Sequence, residues 1–136
     1  MAWTTPKTNW VETDRFNIED FNRIKNNLTY LRDWAREVFS YVPLENMGQD
    51  IDSYTTYWDV DYFNAFEDNV EALNEGIRNK DYGNKMTFAE NGYFINYSEL
   101  NRIESATADM KRLCDEQYKL LQRLSFRLGT YRDIRI

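Results

Sequence analysis

Apolar residues recur at alternating spacings of three and four in three separate stretches, the signature of amphipathic helices with a core-facing seam. In the first, Phe21, Ile24, Leu28, Leu31, Ala35 and Val38 form the seam, and Trp34 and Phe39 widen it. This predicts a helix from Ile18 to Phe39, stopped before Pro43, since proline cannot continue a helix. In the second, Phe66, Val70, Leu73 and Ile77 predict a helix from Asn64 to about Arg78. The third seam is Leu100, Ile103, Thr107, Met110, Cys114, Gln117, Leu121, Leu124 and Leu128, predicting a helix from Tyr97 to Leu128 with Gly129 marking its end. At 1.5 Å per residue the third helix spans roughly 45–50 Å and the first about 33 Å. The third therefore overhangs its neighbours, and Leu121, Leu124 and Leu128, with Leu120 and Phe126 beside them, are left over. An exposed patch of this kind is unusual on a monomer and points to a homo-oligomer, unless the N-terminal arm or the middle segment covers it. Gln117 within the seam is suited to fixing register.

Part of the pattern occurs twice. Asn22-Arg23-Ile24 returns as Asn101-Arg102-Ile103, Asn17 matches Asn96, Asp20 matches Glu99 and Phe21 matches Leu100. Asn followed three residues later by an acid is an N-cap with a capping-box partner, because Asn accepts from orphan helix N–H groups and the acid suits the positive helix end. Phe63-Asn64, with Glu67 three residues on, reads as a third such start. Arg23 lies three residues after Asp20, and Arg102 three after Glu99, a spacing at which charges meet on a helix. Two readings follow for Arg23 and Arg102: reinforced helix starts, or an intersubunit or ligand contact made twice.

The connecting segments complete the predicted architecture. Residues 1–15 read as an extended arm, since Pro6 favours extension before it; its Trp3 and Trp10 should be buried, on the bundle itself or on a neighbouring subunit. The segment from Pro43 to Tyr62 carries Asp50, Asp52, Asp59 and Asp61 with Tyr54, Tyr57, Trp58 and Tyr62. The acids read as solvated loop charges, for they lack EF-hand spacing. The aromatics read either as a cap on the core or as a platform for a sugar. Asn91-Gly92 between Met86-Thr87-Phe88 and Tyr93-Phe94-Ile95 is a hairpin signal. The expectation is a mainly α chain: a three-helix up-down-up bundle over residues 16–129, with a long C-terminal helix, a short hairpin between the second and third helices, the arm, and a polar tail over 130–136.

Composition narrows function chiefly by exclusion. A chain of 136 residues suits one domain, and its eight Phe, ten Tyr and four Trp supply a large core. The net charge of −6 argues against non-specific nucleic-acid binding. With no His and one Cys, imidazole-based catalysis, His–Cys zinc sites and internal disulfides are ruled out. Cys114 is read as a buried small hydrophobe. No dinucleotide, phosphate-loop, zincin or nucleophile-elbow motif is present. No enzyme, cofactor or metal is expected. There is neither a bilayer-spanning apolar run nor a signal peptide, so a soluble chain made in the cytoplasm is expected.

One resemblance adds to this. Thr5-Pro6-Lys7-Thr8-Asn9-Trp10, then Asp14-Arg15-Phe16-Asn17, Asp20-Phe21-Asn22-Arg23-Ile24 and Asn27-Leu28-Thr29-Tyr30-Leu31 follow one another at fixed spacing. This order resembles short helical modules in structural proteins of tailed bacteriophages and prophages of Gram-positive hosts, often beside tail-fibre or baseplate components. The resemblance covers the first third of the chain. It implies a virion part that assembles with other tail proteins, and it brings no catalytic residues. A carbohydrate-binding module for the host wall and a non-virion adaptor are the other classes the sequence admits.

Overall fold

In the computed structural model the described residues are 3–45, 47, 60–77, 81–83 and 96–130; at residue 60 and residues 126–130 only the backbone is described. Three helices form: α1 (Ile18–Val38), α2 (Val60–Ile77) and α3 (Tyr97–Thr130). Each touches the other two. Among the described residues there is no strand. The hairpin expected over Met86–Ile95 lies outside them, as do Tyr54, Tyr57, Trp58 and most of the polar tail.

The first helix starts as its sequence states. Asn17 accepts from the Asp20 N–H, and the Asp20 carboxylate accepts from the Asn17 N–H, a complete capping box. At α3, Asn96 likewise accepts from the Glu99 N–H, but the Glu99 carboxylate turns to Arg102 instead. The predicted start at Asn64 is corrected. α2 begins one turn earlier, at Val60, because Phe63 already belongs to the seam, buried with Phe66. α3 also runs through Gly129 rather than ending there.

The bundle itself is as the seams require, but the expected alternation of direction does not hold. Phe21 near the start of α1 meets Tyr62 and Phe66 near the start of α2, with ring centroids 5.5 and 5.2 Å apart. Just past the end of α1, Val42 packs on Gly76 at the end of α2. Arg23 pairs with Glu104, and about three turns further along both helices Trp34 donates to Asp115. All three helices therefore run the same way. The physical reason is the length of the connections. Residues 39–59 and 78–96 are each long enough, at up to about 3.3 Å per residue, to travel back along a whole helix.

The described parts of these connections show that return. Glu45 and Asn69 exchange two hydrogen bonds, at 2.7 and 3.1 Å, so the chain lies along α2. Thr4 and Asn27 exchange the same pair at 3.0 and 2.8 Å, so the N-terminal arm lies along α1. Tyr82 donates to Asp109 at 2.6 Å. Trp3 stacks at 5.3 Å on Tyr30 across the same 27-residue separation. Each helix is thus preceded by a segment that runs antiparallel to it, and the fold repeats one arm–helix unit three times. The repeated Asn-Arg-Ile marks the first and third units. In the third, Gly83 has φ +94 and a Cβ there would meet Arg102 Cδ at 2.8 Å. A glycine is needed for both reasons.

Candidate functional site

Two features stand out: a polar seam buried between the helices, and an apolar end left in solvent. The polar seam is built from the repeated arginines. Arg23 is held by Asp20 of its own helix at 2.8 Å and by Glu104 of α3 at 2.6 Å. Arg102 is held by Glu99 of its own helix at 2.7 Å and by Glu67 of α2. The i,i+3 pairs are those expected from the sequence. Their cross-helix partners, Glu104 and Glu67, were not legible there, for Glu67 read as the capping acid of Asn64 and an isolated acid such as Glu104 reads as surface. Their side chains are only 1% and 0% exposed. Burial works against the charge of each guanidinium, but the hydrogen bonds to the buried carboxylates outweigh it. Both arginines hold their protons more firmly than a free one.

The N-terminal arm closes over this seam. Trp10 is buried and donates its indole N–H to Glu104, while its backbone exchanges bonds with Asn101 at 2.8 and 2.9 Å. The Lys7 N–H also reaches Glu104. Trp10 stacks towards Phe16, and Phe16 meets Phe63. Trp3 is half-buried, with Lys111 over its ring. In the single chain the arm packs on its own bundle. Among the described residues no buried side-chain polar atom lacks a hydrogen-bond partner.

The remaining predicted site residues fall elsewhere. Tyr62 is half-buried against Phe21, part of the core end rather than an open platform. Leu121 and Leu124 are exposed on α3, 37% and 45%. Leu128 continues the same seam, with only its backbone described. The two tryptophans and these leucines are not brought together. Cys114 is fully buried in the seam; burial, with Asp115 adding, pushes its thiol up to about 12. Among the described residues no group of three or more Cys, Asp or Glu side chains is placed to hold a metal ion, and no helix is long and apolar enough to cross a membrane.

Among the described residues, α3 continues alone beyond the end of α1. Trp34 donates its indole N–H to Asp115 at 2.9 Å and its ring meets Tyr118 at 5.1 Å. These two aromatics, with Glu37, Leu121, Gln122 and Ser125, line a shallow open groove. The chemistry available here is apolar contact rimmed by polar groups, the composition of a protein-docking surface. Compared with known proteins, the chain matches no family model, no curated protein and no solved structure.

Proposed function

We propose that this chain is a structural component of a tailed-phage virion, placed at the tail or baseplate, and that it works by self-association and by docking on other tail proteins. The observation that carries this reading is the exposed apolar end of α3. Leu120, Leu121 and Leu124 stand in solvent on a chain whose repeated arginines are engaged in internal ion pairs. A contiguous apolar surface of this kind is what a protein partner covers. The ordered Thr5-to-Leu31 pattern, similar to helical modules of phage tail proteins, supplies the class of assembly. Mass spectrometry of gradient-purified particles tests it. The chain is expected in stoichiometric amount with the tail proteins. Its abundance in the lysate together with absence from the particles would refute a virion role.

A further inference from the structure

The exposed apolar residues are not scattered. Among the described residues eight large hydrophobics are exposed, and six of them, Phe39, Tyr41, Tyr118, Leu120, Leu121 and Leu124, lie where α1 ends and α3 runs on. On α3 the side that packs into the core through Met110 and Cys114 continues, turn by turn, as Leu121 and Leu124. As far as Ser125 the overhang is thus the core seam itself, exposed where the other two helices stop. From Leu120 to Thr130 it is roughly 15 Å long.

The shape of the bundle decides how a second copy can cover it. α1 packs along α3 as far as Tyr118, where Trp34 meets it, and α2 lies beside both helices up to its end at Ile77. Two copies set side by side in one direction would therefore collide through their bundles before their overhangs met. Set tail to tail, each overhang enters the space beyond the end of the other copy's α1, where Phe39, Tyr41 and the Trp34–Tyr118 groove lie.

Charge favours the same arrangement. Residues 117–136 carry Lys119, Arg123, Arg127, Arg132 and Arg135 against Asp133, a net +4, leaving −10 on residues 1–116. Tail to tail, the overhang of each chain, with exposed Lys119 and Arg123, runs towards the bundle of the other, whose near end exposes Glu37 and Glu75 beside Arg36. That end also carries the carbonyl termini of α1 and α2, the negative ends of their dipoles.

We propose that two copies of this chain form a tail-to-tail dimer, the α3 overhangs antiparallel, with Leu121 and Leu124 of each copy packed against the overhang of the other, whose tip reaches the Trp34–Tyr118 groove. This rests on the self-association part of the function proposed above. So short an overlap makes a small interface, with a dissociation constant in about the micromolar range.

Sedimentation velocity on the full chain across the micromolar range, with fluorescence energy transfer for orientation, tests it. The expected result is a concentration-dependent shift from monomer to dimer, weakened by at least tenfold in Leu121→Lys, Leu124→Gln and Arg123→Glu, each with unchanged helical circular dichroism. Both leucines are exposed, so the variants keep their fold. Dyes on Ser98→Cys, at the far end of α3, should lie about 80 Å apart in the dimer. Dyes on Gln122→Cys should lie close. The buried native Cys114 is left unlabelled. A monomer at every concentration, a dimer indifferent to the α3 variants, or Ser98 dyes as close as the Gln122 dyes would each overturn the tail-to-tail dimer. A monomeric chain still found in virions would refute this dimer alone. A tail-to-tail dimer absent from virions would refute the virion role alone.

Discussion

Replacing Glu104 by alanine removes an acceptor that joins the arm, α1 and α3. Its carboxylate takes the Trp10 indole N–H, the Lys7 backbone N–H at 3.2 Å, and Arg23 at 2.6 and 2.9 Å. Breaking a buried ion pair from one side costs about 3–5 kcal/mol, because the surviving charge stays desolvated. Arg23 keeps Asp20 at 2.8 Å and is 14% exposed, which places the charge contribution near the lower end, about 3 kcal/mol. The stranded indole N–H of buried Trp10 adds about 1 kcal/mol or somewhat more. The expected loss is about 4 kcal/mol, a large share of the 5–15 kcal/mol that holds a domain together. Urea unfolding followed by circular dichroism measures it, with Arg23→Ala and the double variant closing a cycle. The two sites share one bond network, so a coupling of about 1 kcal/mol or more is expected. A loss below about 1 kcal/mol, or sites that add without coupling, would show that the seam is not what fastens the arm.

Other consequences are as direct. Trp10→Ala, at a residue 3% exposed, should cost about 3–5 kcal/mol in urea unfolding, and Trp3→Ala, half-buried, clearly less; equal effects would contradict the packing. Gly83→Ala should destabilise by about 1–2 kcal/mol, since it forces a side chain into positive φ and against Arg102, and a neutral result by thermal melting would contradict the placement of the third arm. Cys114 gives a pH signature: below pH 9 its thiol is protonated in both states, whereas between about 9 and 12 the unfolded chain loses a proton that the folded chain keeps. Stability should therefore fall with rising pH across that window and fall less steeply in Cys114→Ala; identical alkaline slopes would refute a buried thiol.

How far the sequence reaches is clearest at the helices. The period of apolar residues placed α1 and the start of α3 within a residue, because burial of a stripe at helical spacing is a local property of the chain. Asn17 with Asp20 specified its cap for the same reason: donor and acceptor lie three residues apart. The repeat of Asn22-Arg23-Ile24 at Asn101-Arg102-Ile103 showed that two helices share a design, and Arg23 and Arg102 duly meet Asp20 and Glu99. The exposed Leu121 and Leu124 were also legible, from nothing more than unequal helix lengths.

Tertiary structure alone decided the direction of α2, the start of α2 and the partners of the buried acids. Seams do not encode direction, since an apolar stripe packs equally well parallel or antiparallel, and only the return of residues 42–45 along α2 sets it. Asn64 carries the same local signal as Asn17, yet it lies inside the helix, because burying Phe63 and Phe66 together outweighs a cap. Glu67 and Glu104 are buried against arginines 35 and 81 residues away. No spacing rule reaches that far. Those pairings exist because three parallel helices bring their first turns to one end, where the charges of one unit meet those of the next.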